Sequence, residues 1–314
     1  MPNFFDNPTD KGFVKSFDGL QIYWELHGPA PSPKNHALLY CYGLGCSKYQ
    51  WRSVARLFPD RPNIYWDYRG HHKSEYVVNT EKLNLSIMAR DADSVLQAAG
   101  AKTAHVFGHS MGCNVALELA FANPKRVESL ILVAGSAENP FGSMLGVNFF
   151  DKIMPQLLST FPKNEKNFYL FWNWLIKQRT FLKTVVSISG FNRKAVESED
   201  IDIYLDSIAT VHPRVFFELL FDLSQGKTIG LLPRIQCPSL VVSGANDQVT
   251  PKNSQINLAK GLVNSELFSV PLGSHNVQLE FADYLVRRIK EFWADFCSQS
   301  PAKPVIRKTR EKKS

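Results

Sequence analysis

The 314-residue chain is 44% apolar and 21% charged, with 18 Gly and 18 Pro. This composition excludes a disordered chain, a collagen-like repeat and a disulfide-dense mini-domain, and the length suits about two domains or one large α/β domain with an insertion. The net charge of +7 hints at an anionic partner, but residues 301–314 (PAKPVIRKTREKKS) carry +5 of it, so the remaining body is nearly neutral and no nucleic-acid partner is expected.

In chain order, FVKSF (13–17) and LQIYWEL (20–26) flank Asp18-Gly19, which predicts a β-hairpin. Apolar strands then alternate with helical patterns. The strands are ALLYCYG (37–43), NIYWDYRG (63–70), AHVFGH (104–109), SLILVAG (129–135), SLVVSG (239–244) and ELFSVPLG (266–273). Helices are expected over 48–58, 85–99, 114–122, 254–262 and from about 276 to 297. Continuous apolar runs, rather than strict alternation, mark parallel strands buried on both faces. The fold class is therefore α/β, with a mostly parallel, doubly wound sheet and an N-terminal hairpin.

From 137 to 228 no strand pattern occurs, and the text turns helical and aromatic. Eleven of the 22 Phe fall there (Phe141, Phe149, Phe150, Phe161, Phe168, Phe171, Phe181, Phe191, Phe216, Phe217 and Phe221), with Trp172 and Trp174. Most of these rings are expected to form the core of a helical subdomain. Such a subdomain would also cap the carboxyl ends of the strands, where open α/β sheets bind ligands. The expected organisation is a core of 1–136 and 229–300, a helical lid insertion of 137–228 and a flexible basic tail of 301–314. The bland reading of the tail is a solvated end, with weak contact to an anionic surface as the other possibility.

The five cysteines are widely spread and form no CxxC or Cys/His zinc pattern, so no metal site and reduced thiols are expected. The start, MPNFFDNPTDK, lacks a basic-then-apolar leader. The aromatic run 168–176 is far shorter than the roughly 20 residues of a membrane span. A soluble, cytoplasmic protein is expected.

Strand AHVFGH runs directly into GHSMG (108–112) and then into the helical NVALELAFA. Strand, G-x-S-x-G and helix in that order are the context of a nucleophile elbow, in which small residues two before and two after the serine permit a very tight turn. Ser110 is the expected nucleophile. A serine hydroxyl needs a base oriented by a third group, and in this architecture an acid and then a histidine follow in the chain. Asp247 follows strand SLVVSG and His275 follows strand ELFSVPLG, each at a carboxyl end. Glu138, after strand SLILVAG, is a competing acid, and Asp247 is preferred. The oxyanion donors are expected to be the backbone amides of Met111 and of Leu44, the latter in the loop YGLGCSKYQW.

These segments closely resemble the α/β-hydrolase superfamily, in particular its lidded esterase- and lipase-like members, over about residues 12–297. GHSMG, GANDQVTP, LGSHN, the oxyanion loop and DYRGHHKS (67–74) carry the resemblance. In two places the chain departs from the family pattern. Tyr42 replaces the first residue of the usual H-G-x-G, and His72 occupies a usual Gly position in D-x-R-G-x-G-x-S. Arg69, His71 and His72 are read as structural. The resemblance implies a serine hydrolase cleaving a small or medium apolar carboxylic ester through an acyl-enzyme, without a cofactor. The alternatives on the same triad are a C–C bond hydrolase, a perhydrolase or an acyltransferase. A non-enzymatic ligand sensor is a further alternative, and oligomeric state stays open.

Overall fold

The computed structural model describes residues 7–77, 80–139, 147–192, 195–196 and 198–298. The basic tail and Phe141 therefore lie outside the described residues, and of Phe149 and Phe150 only the helical backbone is described.

Among the described residues eight strands form one sheet: β1 (Asp10–Lys15), β2 (Gln21–His27), β3 (Ala37–Cys41), β4 (Asn63–Trp66), β5 (Ala104–His109), β6 (Val127–Val133), β7 (Ser239–Gly244) and β8 (Ser265–Val270). Their spatial order is β1-β2-β4-β3-β5-β6-β7-β8. The first two strands pair antiparallel, β2 joins β4 antiparallel, and every pair from β4 and β3 to β8 is parallel. All residues of β3, β4 and β7 are buried, as the apolar runs require for strands covered on both faces.

The N-terminal hairpin differs from the sequence expectation in its turn. The strands end at Lys15 and Gln21, and a five-residue loop is closed by Ser16 N–H to the Leu20 carbonyl at 2.8 Å. Gly19 supplies the positive φ of 89°. This loop is fastened from beneath. Arg69, fully buried, makes two 2.7 Å bonds to Asp91 and reaches Asp18 at 3.2 Å. A buried guanidinium needs such a bidentate partner, so Arg69 is structural.

Ten helices, counted among the described residues, cover and cap the sheet: α1 (Arg52–Ala55), α2 (Leu85–Ala98), α3 (Met111–Ala122), α4 (Val147–Lys177), α5 (Arg179–Ser189), α6 (Ser198–Ala209), α7 (Pro213–Ser224), α8 (Lys252–Gly261), α9 (Val277–Glu280) and α10 (Ala282–Ser298). Asn84 caps α2 by accepting from Ile87 N–H at 2.9 Å. The stretch expected as one helix over 48–58 is a 3-10 turn, Lys48–Trp51, followed by the single turn α1. The expected C-terminal helix is likewise broken at Phe281 into α9 and α10.

The stretch between β6 and β7 holds α4 to α7 and no strand among its described residues. Its aromatics divide. Phe161, Trp172 and Phe191 are buried, with Trp172 packed 5.1 Å from Phe216. Tyr169, Phe171 and Trp174 on α4 and Phe181 on α5 are exposed, so α4 covers its rings on one face only, while Phe216, Phe217 and Phe221 on α7 are half-buried. Asn164 interrupts α4 with non-helical dihedrals. No described helix is long and apolar enough to cross a membrane.

Candidate active site

β5 delivers Ser110 to the amino end of α3 at φ 53° and ψ −121°, a strained backbone for a residue with a side chain. The glycines around it show why the turn needs them. A Cβ on Gly112 would sit 2.4 Å from the Cys41 carbonyl oxygen, and one on Gly108 would sit 2.7 Å from Cys113 Cα. These contacts let α3 pack against the ends of β3 and β5. Ser110 N–H donates to the Val133 carbonyl at 3.0 Å, which ties the elbow to β6.

Asp247 and His275 follow the carboxyl ends of β7 and β8. His275 Nδ1 lies 3.0 and 3.2 Å from the two Asp247 carboxylate oxygens. Asp247 also accepts from Val249 N–H at 2.8 Å, Thr250 N–H at 2.9 Å and the Gln255 amide at 3.1 Å. A carboxylate so furnished is fixed in place, and with Nδ1 turned toward it the His275 ring presents Nε2 on its other side. Glu138 is engaged elsewhere, accepting from Asn257 Nδ2 at 3.1 Å.

Ser110 and His275 share one cavity of about 220 Å³. Gly43 and Leu44 of the loop after β3 also line it. Met111 is the first residue of α3, so its N–H is among those a helix leaves without an internal partner. The remaining wall is largely apolar: Val186, Phe191, Tyr204, Phe216, Leu220 and Val249. All five predicted site residues thus fall at one edge of the sheet, with Asp247 behind His275.

Further residues hold this arrangement, among them His109 and Gln50, which no sequence pattern marks, and the two departures from the family pattern, His72 and Tyr42. His109 Nε2 lies 2.8 Å from the His275 carbonyl, which can only accept, so Nε2 carries the proton. Burial, reinforced by nearby His275, pushes the His109 pKa well below the ordinary histidine value, so the ring stays neutral. Gln50 Oε1 accepts from Gly43 N–H at 2.9 Å, and its amide donates to Asn276 Oδ1 at 3.4 Å. His72 has φ 45°, and its ring spans from the Cys46 carbonyl at 2.8 Å to the Thr210 hydroxyl at 2.9 Å. The residue in the usual Gly position therefore keeps the glycine-like backbone and adds a strut. Tyr42, in the usual His position, takes a hydrogen-bonding role of its own: its hydroxyl accepts from Tyr68 N–H at 2.9 Å.

Cys46 also lines the cavity, but burial pushes its thiol up to about 12, so it stays protonated and is a poor nucleophile. Cys41, Cys46, Cys113 and Cys237 are free thiols. No group of three or more His, Cys, Asp or Glu suited to a metal ion occurs among the described residues.

Comparison with known proteins agrees with the architecture. Residues 36–282 match the model of the alpha/beta hydrolase fold family. The chain is 28% identical over 266 residues to a protein of Caulobacter sp. (strain K31) named "Putative carbamate hydrolase RutD", covering 82% of this chain and 89% of that one. It is 25% identical over 234 residues to 2-hydroxy-6-oxononadienedioate/2-hydroxy-6-oxononatrienedioate hydrolase 2 of Pseudomonas putida, covering 73% and 76%. Among solved structures, an esterase from Exiguobacterium antarcticum superposes with a TM-score of 0.72 at 17% identity, over 90% of this chain and 99% of that one. With the family model spanning most of its length, a strained serine elbow on β5 and a mostly parallel eight-stranded sheet, the chain belongs to the α/β-hydrolase fold family.

Proposed function

We propose that the protein is a serine hydrolase that cleaves a carboxylic ester of small or medium apolar character through an acyl-enzyme. The observation that carries this reading is the shared cavity, in which Ser110 and His275 meet an apolar wall while Asp247 fixes the far side of the imidazole. In the proposed cycle Ser110 Oγ attacks the carbonyl carbon as His275 Nε2 takes its proton. The tetrahedral oxyanion is held by the Leu44 and Met111 amides. His275 returns the proton to the leaving alcohol, and the same base then activates a water that releases the acid. No step in this cycle calls for a cofactor. The segment 137–228 acts as the lid that supplies most of the apolar wall.

The relatives' names favour a second reading on the same residues, hydrolysis of a carbamate. It differs in the intermediate, a carbamoyl- rather than an acyl-enzyme, whose release by water is the step to watch. The relative named for a dienedioate substrate keeps C–C bond hydrolysis as the third possibility.

A panel of aryl esters of rising acyl length, run beside an aryl carbamate with wild type and Ser110→Ala, tests the reading. Turnover of esters that peaks at short to medium chains and vanishes in Ser110→Ala is expected. Faster turnover of the carbamate than of any ester would favour the second reading. Ester turnover unaffected by Ser110→Ala would contradict both.

A further inference from the structure

The loop that carries Gly43 and Leu44 is linked to the helical segment between β6 and β7 by two sets of contacts. One chain of bonds runs through Gln50. Its side-chain oxygen accepts from Gly43 N–H, and its amide reaches Asn276 Oδ1. Asn276 Nδ2 then donates to the Gly190 carbonyl at 2.7 Å, at the carboxyl end of α5. Gly190 also accepts from the Ser274 hydroxyl at 3.0 Å. Beside it, Asn192 N–H donates to Glu280 at 2.8 Å and its side chain to the Leu272 carbonyl at 2.9 Å. The residues on either side of His275 are therefore bonded to the end of α5, and one of them passes that connection to Gly43.

A second set of contacts joins this loop and the neighbouring α1 and His72 to α6 and to Thr210 just after it. Ser47 and Ser207 share a 2.9 Å hydroxyl contact, Arg52 pairs with Asp200, and His72 bridges the Cys46 carbonyl to Thr210. Gln50, Ser207, Asn276 and Ser274 are all buried. Buried polar groups linked in this way hold one another in a single arrangement, and losing one leaves its partner unsatisfied.

We propose that Gln50 is a positioning residue which couples docking of the α5–α6 segment to the placement of the oxyanion loop, with Asn276 as the relay. The proposal rests on the hydrolase reading for its catalytic consequence but not for its structural content. With the segment docked, Gly43 is held by Gln50, and the neighbouring Leu44 amide is held toward Ser110. With Asn276 released from Gly190, Gln50 loses its outer partner and the loop loosens. Substrate enclosure and oxyanion stabilisation would then be formed together.

Hydrogen exchange read by mass spectrometry on the full-length chain tests the structural content directly. Asn276→Ala is the informative variant, because Asn276 bonds Gln50 rather than the 43–47 loop itself. Amide exchange in 43–47 is expected to quicken by about tenfold, together with exchange in 189–192, while β5 and β6 keep wild-type protection. Gln50→Met, which keeps the volume and removes both bonds, should quicken 43–47 by as much or more. Unchanged exchange in 43–47 in both variants would overturn the proposal, whatever the activity does. If Asn276→Ala lowers the protection of β5 and β6, Gln50→Met alone decides the matter.

The second readout is the kinetic split. Gln50→Met is expected to lower kcat on an ester about tenfold or more with KM within about twofold of wild type, as loss of a transition-state contact requires. A rise in KM at unchanged kcat would overturn the positioning role. Coupled exchange in a chain that hydrolyses nothing would leave the coupling standing and remove the hydrolase reading instead.

Discussion

Tyr40 and Phe107, on β3 and β5, are fully buried with ring centroids 5.0 Å apart, whereas Phe171 and Trp174 on α4 are each 57% exposed. In the sheet, aromatic rings fill a closed interior whose shape is set by hydrogen-bonded strands. In the helical segment, Trp172 and Phe216 pack together, Phe216 lines the cavity that Ser110 and His275 share, and Phe171 and Trp174, on the same stretch of α4 as Trp172, turn their rings outward. On the proposed function, the sheet fixes where chemistry occurs and the helical segment decides what reaches it. Changes in the two regions should separate into effects on rate and effects on selectivity.

The largest expected effect belongs to the sheet. Asp247→Asn should keep the fold but lower kcat by about 10⁴-fold, since the amide no longer selects the Nδ1–H tautomer of His275. Glu138→Gln should leave kcat within about twofold, because Glu138 bonds Asn257 and not His275. Steady-state kinetics on one ester compares the two, and equal losses would break the assignment of the acid.

A smaller effect is expected from the cavity wall. Phe216→Ala should raise the kcat/KM ratio of a long over a short acyl ester by about tenfold, on the scale of one or two methylenes of discrimination. A uniform loss across the series would mean that Phe216 supports the fold rather than selects substrate.

The hairpin edge offers a pH test. Burial alone would raise the pKa of Glu25, but bonds from His27, Lys48 and Tyr23 hold it down at about 2. A carboxylate depressed in the folded state contributes stability above its unfolded pKa and loses it as the pH falls toward the folded one. Stability should therefore fall between about pH 4.5 and pH 2. In Glu25→Gln that decline should be shallower, as thermal melts across this range would show.

The smallest effect is expected at the outward rings. Trp174→Ser should change stability by no more than about 0.5 kcal/mol, as usual for an exposed site. A cooperative loss in a chemical denaturation curve would show that this face is covered in solution.

What was legible in the sequence follows from how local each constraint is. The elbow could be read because the steric demand on Gly108 and Gly112 falls within five residues. Asp247 and His275 could be read because apolar strands announce the edge at which they stand. Gln50 and Asn276 could not, since the bond between them joins loops far apart in the chain and leaves no periodic trace. His72 could be read as structural because a bulky residue stands where the related pattern has Gly, but the partners it bridges, Cys46 and Thr210, could not. The hairpin is legible in Asp18-Gly19 but its turn is not, because Gly19 alone takes a positive φ and Ser16 and Leu20 close a longer loop. The aromatic stretch was only half legible, because composition does not say which face of α4 is covered.

Mapping the site of a fluorophosphonate adduct by peptide mass spectrometry tests the central claim most directly. A single adduct on Ser110 is expected, absent in Ser110→Ala and strongly slowed in His275→Ala. An adduct on another residue, or none on the folded wild-type protein, would contradict it.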